Sequence, residues 1–239
     1  MKDTIKLKGK TLMIAHRGAC GSEQENTLPA FVAACNRSYF GAECDVRATK
    51  DGKFVIYHDG DTSRICDKTL KIEESCFSEI RALRLKRFGR ENFDETLKIP
   101  TLEEYLSVLS RYGKTAVIEL KKPLSSKQIR EIIGVCKAHY SLDKIIFISF
   151  ELEYLLTVRE SAPAQKVQLL TVIYNQEIRE LLIEYRVDAD LIFTLITKER
   201  VSDLHRHGIA VNCWTCDDAT AAQRLVDCGV DFITSNILE

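Results

Sequence analysis

Long apolar runs are missing from this sequence. No stretch reaches the roughly 18 consecutive apolar residues that a membrane-spanning helix needs, and residues 1–10 alternate in charge and lack the apolar core of a secretory signal. An excess of charge of one sign is missing as well, because 34 basic residues face 35 acidic residues. We therefore expect a cytoplasmic protein without stable membrane insertion and without a nucleic-acid partner.

A disulfide framework is also missing. The nine cysteines are an odd number and are scattered through periodic segments, which predicts reduced and mostly buried thiols. Cys213 and Cys216 have the C-x-x-C spacing of a redox site or of half a zinc site. No second cysteine or histidine pair at zinc spacing accompanies them, so we interpret both as structural residues.

Short apolar segments rich in β-branched residues alternate with amphipathic segments, a pattern typical of repeated βα units. Eight strands are predicted, at residues 11–16, 42–48, 115–120, 144–149, 167–173, 190–194, 209–214 and 230–234. Seven helices are predicted between them, at residues 27–37, 102–112, 126–139, 152–161, 176–185, 198–207 and 219–228. This count indicates an α/β fold of the TIM (β/α)8 barrel type, although an open doubly wound sheet has a similar linear pattern.

The chain length of 239 residues suits one domain, residues 1–239. Within it, two irregularities interrupt the alternation of strands and helices. Residues 60–100 break the pattern and predict a small, partly ordered insertion after the second barrel strand, since apolar Phe77, Leu83, Leu85 and Phe88 accompany its charges. The sequence stops at Glu239 with no room for an eighth helix, so we expect a short or missing last helix, with its wall covered by the insertion or by a partner subunit.

Acidic residues lie inside two predicted strands. Glu43 and Asp45 flank Cys44, and because side chains alternate between faces, both carboxylates point to one side and Cys44 to the other. The same alternation places Glu119 and Lys121 together on one face of a later strand. Inward carboxylates repel one another unless a cation lies between them, and Mg²⁺ or Ca²⁺ prefers such oxygen ligands. The pattern therefore predicts a hard-cation site, with Lys121 able to neutralise a phosphate oxygen.

Two histidines follow predicted strands. His16 ends the first strand, and Arg17 and Gly18 follow it, which combines a proton-transfer group with a cation and a flexible backbone. His58 closes the strand-like segment 54–57. Active sites of barrel enzymes lie at the C-terminal ends of the strands. Cleavage of a phosphodiester needs a base for the nucleophile and an acid for the leaving alkoxide, and this pair supplies both.

Several short motifs together resemble those of the glycerophosphodiester phosphodiesterase family. In chain order they are His16-Arg17-Gly18, Glu25-Asn26-Thr27, Glu43-x-Asp45, Thr49-x-Asp51-Gly52, His58-Asp59, Thr101-Leu102-Glu103-Glu104, Glu119-x-Lys121 and Trp214-Thr215. The resemblance implies a TIM barrel with a small insertion after His58-Asp59. The roles it implies are divalent-metal binding for Glu43, Asp45 and Glu119, acid–base catalysis for His16 and His58, and phosphate binding for Arg17 and Lys121.

The resemblance also implies a reaction course. The substrate's own glycerol hydroxyl attacks first, and water then opens the resulting cyclic phosphate, giving glycerol 3-phosphate and a free alcohol. Glu25 either contacts the metal or phosphate or caps the helix near Thr27, and Trp214 is either a wall of the glycerol pocket or a core residue. The chain departs from the family at Gln24, where proline is usual, and at 234–236, which lack the usual aspartate and proline.

Three alternatives accompany this interpretation. A related lysophospholipid-acting phosphodiesterase would favour a secretion signal and an apolar lid, and neither is evident in the sequence. A non-catalytic phosphodiester-binding barrel has no need of both histidines together with three carboxylates. A metal-dependent sugar isomerase would need a second cation site. The motifs leave open choline, ethanolamine, glycerol or inositol as the leaving alcohol of this small-molecule substrate, Mg²⁺ or Ca²⁺ as the cofactor, and the oligomeric state.

Overall fold

The computed structural model describes residues 10–239 and contains a closed barrel of eight parallel strands. The barrel closes because β1 pairs with β2 on one side and with β11 on the other. The strands in chain order are β1 Leu12–Ala15, β2 Gly41–Ala48, β3 Phe54–Ile56, β4 Leu85–Lys86, β5 Phe93–Asp94, β6 Thr115–Leu120, β7 Ile145–Ser149, β8 Lys166–Thr171, β9 Asp188–Ile192, β10 Val211–Trp214 and β11 Phe232–Ser235. The predicted TIM barrel is confirmed.

Helices separate the barrel strands and cover their outer faces. In chain order they are α1 Leu28–Cys35, α2 Phe77–Ala82, α3 Leu102–Tyr112, α4 Ser126–His139, α5 Leu152–Ser161, α6 Gln176–Tyr185, α7 Lys198–Arg206 and α8 Ala219–Cys228. Side-chain caps fix several starts, and α3 begins with a reciprocal capping box between Thr101 and Glu104. Seven of the eight were predicted. The additional helix, α2, belongs to the insertion.

One strand prediction was wrong by two residues at each end. β9 covers Asp188–Ile192, whereas residues 190–194 were expected, and Phe193–Leu195 form a 3-10 turn. The apolar run continues past the end of the strand, so hydrophobicity alone does not mark where pairing with the neighbouring strand stops. β8 likewise ends at Thr171 and not at Ile173.

Apolar side chains fill the inside of the barrel and the layer between strands and helices. Ile14, Val117, Ile146, Ile148 and Leu170 form a buried cluster from alternate strand positions. The outward-facing residues join a larger cluster with the helices, and Cys44 belongs to that cluster. The alternation predicted for β2 is therefore confirmed.

The insertion packs around its own apolar cluster beside β3. Its buried members all fall within residues 55–99, and β3 pairs antiparallel with β2. No helix follows β11 in the described part of the chain. The insertion's apolar cluster contains no residue of the last strand. Leu238, after β11, is buried in the main core.

The described cysteines are all free thiols. Cys213 and Cys216 are fully buried, in agreement with the structural interpretation of the C-x-x-C spacing. Across residues 10–239, every helix is too short or too polar to cross a bilayer.

Two glycine substitutions compare a tightly packed position in a barrel strand with an open position on a helix surface. A Cβ on Gly41 would lie 2.3 Å from the Thr115 carbonyl oxygen in the adjacent strand β6, so Gly41→Ala should force β2 and β6 apart and destabilise the protein by about 1–3 kcal/mol. Gly134, inside α4, has open space at its Cβ position. Gly134→Ala should stabilise the protein by about 0.5–1 kcal/mol.

Chemical denaturation of both variants gives the two free energies of unfolding. If both variants changed the free energy of unfolding equally, or if Gly41→Ala left it unchanged, β2 and β6 would not approach as closely as described.

Candidate active site

Three carboxylates meet at the C-terminal end of the barrel. Glu43 and Asp45 lie on β2, and Glu119 lies on β6 directly beside Asp45 in the strand register. One oxygen from each carboxylate lies within 4.8 Å of the others. All three are buried, at 1–8% exposure. The carboxylates predicted from strand alternation are therefore brought together.

The charges of these carboxylates differ because their neighbours differ. Burial, together with the charges of Asp45 and Glu119, raises the pKa of Glu43 well above its usual value. Burial and Asp45 raise the pKa of Glu119 to about 7. Burial opposes ionisation of Asp45 as well, but Arg17 and Lys121 hold its pKa below the usual value. Asp45 is thus the carboxylate whose negative charge the surrounding protein stabilises.

A divalent cation fits this set of donors. Glu43 Oε1 and Asp45 Oδ1 are buried oxygens with no hydrogen-bond partner, and the contact of Asp45 Oδ1 with Lys121 Nζ is a 3.5 Å ion pair. Unpartnered buried carboxylate oxygens are costly, and hard cations such as Mg²⁺ and Ca²⁺ take several oxygen ligands. The three carboxylates satisfy that requirement.

A tight turn after β1 aims the backbone at these carboxylates. Arg17 has φ 52° and Gly18 has φ 77°, both in the left-handed region. A Cβ on Gly18 would lie 2.7 Å from the backbone carbon of Ala30, so no other residue fits there without movement. The turn directs the Arg17 N–H to Glu43 Oε2 at 2.8 Å.

The Arg17 guanidinium is held between two acidic residues. It donates to Glu25 Oε1 at 2.9 Å, and its Nε lies 3.4 Å from Asp45 Oδ2. Glu25 also accepts two bonds from Arg64, each 2.7 Å long. Thr27, and not Glu25, caps α1. Glu25 therefore positions Arg17 and lies outside the three-carboxylate group.

The side-chain amide of Asn236 orients the His16 ring. Its Nδ1 lies 2.7 Å from Asn236 Oδ1, and the Asn236 amide nitrogen donates to Asp217 Oδ2 at 2.5 Å. Because the amide nitrogen must face the Asp217 carboxylate, its oxygen faces His16, and Nδ1 carries the hydrogen. Nε2 is left facing the cavity, 4.0 Å from Glu43 Oε2. Burial and the charge of Arg17 lower the pKa of His16.

His58 reaches the same cavity along β3. β3 runs back beside β2, and Tyr57 N donates to Asp45 O at 2.9 Å, which returns His58 to the level of the carboxylates. Its Nδ1 lies 2.7 Å from Asp59 Oδ1. Arg47 donates two bonds, 3.0 and 2.8 Å long, to the His58 carbonyl oxygen. Burial lowers the pKa of His58, while the Asp45 charge opposes that shift.

A cavity of about 290 Å³ joins these groups. Lys121 lines it and contacts Glu119 at 2.8 Å. Trp214, half-buried, forms part of the opposite wall, and its Nε1 donates to the Asp190 carbonyl oxygen at 3.1 Å. His16, Arg17, Glu43 and His58 line the cavity too.

Some residues of the site escaped the sequence analysis. Asn236 and Asp217 contact His16 from the far end of the chain, and no local pattern indicates that contact. Arg47 was detectable, because it shares the face of Glu43 and Asp45 on β2 by alternation. Asp190 is a buried residue of the cavity lining, and its Oδ1 has no hydrogen-bond partner. The sequence indicated it only as an acidic residue inside an apolar run.

This arrangement suits the cleavage of a phosphate ester. Two imidazoles face one cavity, two cationic side chains flank it, and three carboxylates offer ligands for a hard cation at its base. Acid, base and positive charge around one site are what phosphodiester cleavage requires. The fold and the site define the class of barrel phosphodiesterases.

Comparisons with known proteins agree with that class. The model of the "Glycerophosphoryl diester phosphodiesterase family" matches residues 16–238. The chain therefore belongs to this family of phosphoric diester hydrolases. Two glycerophosphodiester phosphodiesterases, from Bacillus subtilis and Caldanaerobacter subterraneus, are 28% and 29% identical, covering 95% of this chain in both cases and 84% and 94% of those proteins.

A solved structure shares the fold closely. The phosphodiesterase of Oleispira antarctica, in complex with the product sn-glycerol-3-phosphate, superimposes with a TM-score of 0.87 at 28% identity, covering 94% of this chain and 92% of that one.

Cation binding is testable by thermal stability. Adding Mg²⁺ or Ca²⁺ to chelator-stripped protein should raise Tm, because the cation relieves repulsion among the three carboxylates. A cation concentration of 100 times Kd corresponds to about 2.7 kcal/mol of added free energy of unfolding. Glu119→Gln should lose most of this increase, and the exposed control Glu153→Gln should keep it. An equal increase in all three proteins, measured by scanning fluorimetry, would place the cation elsewhere.

Proposed function

We propose that the protein hydrolyses glycerophosphodiesters to glycerol 3-phosphate and an alcohol, with Mg²⁺ or Ca²⁺ as cofactor. The observation that carries the proposal is one cavity lined by both histidines and by Glu43 and Glu119, which form a carboxylate group with Asp45. The Oleispira antarctica relative supports the product assignment, since its structure contains sn-glycerol-3-phosphate. Glu43, Asp45 and Glu119 hold the cation in this proposal.

When bound by these carboxylates, the cation would supply positive charge that stabilises negative charge on the phosphate oxygens. Arg17 and Lys121 hold the phosphate from the sides, because each already lies against the carboxylate group, where its position is fixed by ion pairs. Their fixed positions mean that little side-chain entropy is lost when the substrate binds. Trp214 borders the pocket for the organic part of the substrate.

The two histidines have different partners, and we assign them different roles. His16 donates Nδ1–H to the neutral Asn236 amide and is buried beside Arg17, so its uncharged form is favoured and Nε2 acts as the base. The Asp59 carboxylate at His58 Nδ1 offsets part of the burial that lowers the pKa of His58, whereas His16 has only a neutral amide at its Nδ1, so we assign the role of the acid to His58. His16 takes the proton of the attacking glycerol hydroxyl, and His58 protonates the departing alkoxide.

Water opens the cyclic phosphate in the second half of the reaction. The roles then reverse by microscopic reversibility, since His58 is left neutral and His16 is left protonated after the first step. His58 accepts the proton of the water, and His16 returns one to the glycerol oxygen. Both histidines thereby regain their starting states, and the net reaction consumes one water molecule.

Product analysis tests the reaction itself. Glycerophosphocholine, -ethanolamine, -glycerol and -inositol should each be offered with Mg²⁺ or Ca²⁺ and again with chelator. We expect glycerol 3-phosphate from at least one substrate, with loss of release in chelator and recovery on adding back the ion. Release of phosphocholine in place of glycerol 3-phosphate would mean that the other ester bond breaks, and chelator-resistant release would contradict the role of the carboxylates.

A leaving-group comparison separates the acid from the base. His16→Ala should lose about 10²–10⁴-fold in kcat/KM on every substrate, because the attacking hydroxyl always needs a base. His58→Ala should lose a similar factor on glycerophosphocholine but keep most of the p-nitrophenol release from the p-nitrophenyl ester of glycerol 3-phosphate, whose leaving group needs no proton. The cyclic phosphate should then accumulate, because His58 is the base for the water that opens it.

His139→Ala, an exposed histidine in α4, is the matched control and should keep full activity. If His16→Ala, and not His58→Ala, kept its p-nitrophenol release from the p-nitrophenyl ester, the two roles would be reversed.

A further inference from the structure

One arginine of the insertion reaches the mouth of the barrel. Arg64 donates from Nε to Asp59 Oδ2 at 2.7 Å, and its two terminal nitrogens donate to the two carboxylate oxygens of Glu25, also at 2.7 Å. The Arg64 side chain is 43% exposed, whereas those of Glu25 and Asp59 are 17% and 31% exposed. A planar guanidinium can bridge two carboxylates in this way, but the single ammonium of a lysine cannot hold both with the same fixed geometry.

Both of these carboxylates also hold a residue of the active site. The other oxygen of Asp59, Oδ1, lies 2.7 Å from His58 Nδ1, and Glu25 Oε1 accepts from Arg17 at 2.9 Å. The side chains therefore form one continuous series of charge-assisted contacts, with Arg64 in the middle. We call the contacts of Arg64 with Asp59 and Glu25 the Arg64 bridge. Loss of the bridge would release both carboxylates at once.

The charges of the two carboxylates depend in part on Arg64. Burial opposes the ionisation of Glu25, but the hydrogen bonds from Arg64 and the charge of Arg17 lower its pKa. Burial opposes the ionisation of Asp59 as well, and the hydrogen bonds with His58 and Arg64 lower its pKa. Both carboxylates are therefore held as anions, the form that accepts hydrogen bonds from the active-site partners.

The insertion fixes the position of Arg64. The next two residues, Ile65 and Cys66, are 7% and 5% exposed and belong to the insertion's apolar cluster. On the other side of Arg64, the fully buried Thr62 donates from its hydroxyl to the Lys68 carbonyl oxygen at 2.6 Å. Arg64 is thus presented by a packed loop whose anchoring contacts lie outside the active site.

The geometry of the bridge matters more for activity than for stability. Partly exposed ion pairs contribute little to the free energy of unfolding, because solvent screens the charges and long side chains lose entropy. Catalysis, by contrast, depends on fixed positions, since a displacement of about 1 Å can lower a rate about 10²-fold.

We propose that Arg64 is a positioning residue of the active site, and that the insertion contributes to catalysis by presenting it. Through Asp59 it fixes the ring of His58, the acid of the first step. Through Glu25 it fixes the guanidinium of Arg17, which holds the phosphate. This inference rests on the proposed function for those two roles and adds no bond-making step, because Arg64 itself does not line the cavity.

Arg64→Met tests the bridge, and Arg84→Met is the matched control. Arg84 belongs to the insertion too, its side chain is 45% exposed, and its Nε donates to Asp67 Oδ2 at 2.8 Å. Among the described contacts, it meets neither carboxylate of the bridge. With saturating glycerophosphocholine, kcat of Arg64→Met should fall by about 10²-fold, whereas kcat of Arg84→Met should stay at the wild-type value.

Three comparisons distinguish positioning from a general loss of structure. Release of p-nitrophenol from the p-nitrophenyl ester should fall much less in Arg64→Met, because that leaving group needs no acid. In an Asp59→Asn background, Arg64→Met should lower choline release little further, since the two changes break the same contact. Arg64→Lys should recover only part of the loss, because it keeps the charge without the planar fork.

Two readouts need no turnover and therefore separate this inference from the proposed function. With Ca²⁺ present, Kd for sn-glycerol 3-phosphate should rise by about tenfold in Arg64→Met, because a displaced Arg17 loses a charged hydrogen bond to phosphate. The imidazole nitrogen NMR signals of His58 should shift in Arg64→Met and remain at their wild-type positions in Arg84→Met.

Several results would overturn the inference. Wild-type kcat and unchanged His58 signals in Arg64→Met would do so and leave the proposed function standing. The same holds for an equal fall on both substrates with unchanged Kd and signals, since that pattern indicates a loss of folded protein. If the wild type released no glycerol 3-phosphate but the His58 signals shifted as expected, the bridge would stand and the proposed function would fail.

Discussion

Repulsion among three buried carboxylates is the constraint around which the active site is organised. Strand pairing places Asp45 directly beside Glu119, and alternation adds Glu43 to the same inner face, so the closed barrel cannot separate them. Buried like charges are costly without compensation. The chain compensates in part with Arg17 and Lys121, which stabilise the charge on Asp45. Burial and the neighbouring carboxylates still raise the pKa of Glu43 and of Glu119. The divalent cation that we propose would complete the compensation and would bring a phosphate to the same place.

Two features of the backbone bring the two histidines to the carboxylates. After β1, the left-handed turn at Arg17 and Gly18 points an N–H at the carboxylates and leaves His16 at the rim. After β2, the chain does not continue into a helix but returns along β3, which brings His58 back to the height of Asp45. Among the remaining barrel strands, β7, β8 and β10 contribute Ile148, Leu170 and Trp214 to the cavity, while β9 and β11 contribute the polar Asp190 and Thr234.

Sequence reasoning succeeded where the physics is local and failed where it is not. Period-two alternation in β2 and β6 was enough to predict the carboxylate group, because strand geometry leaves one inner face. The partners of His16 were not predictable, since Asn236 lies 220 residues away and contacts it only because the barrel closes through β1 and β11. The end of β9 was misplaced because Phe193 and Leu195 extend the apolar run past the last paired residue.

We propose that one divalent ion and one phosphate share the space between the three carboxylates and the side chains of Arg17 and Lys121. Anomalous diffraction from crystals soaked in Mn²⁺ or Ca²⁺ together with sn-glycerol 3-phosphate tests it most directly. We expect one anomalous peak coordinated by Glu43, Asp45 and Glu119, with the phosphate within hydrogen-bond distance of Arg17 and Lys121. A peak away from these carboxylates, or a phosphate bound elsewhere in the barrel, would contradict it.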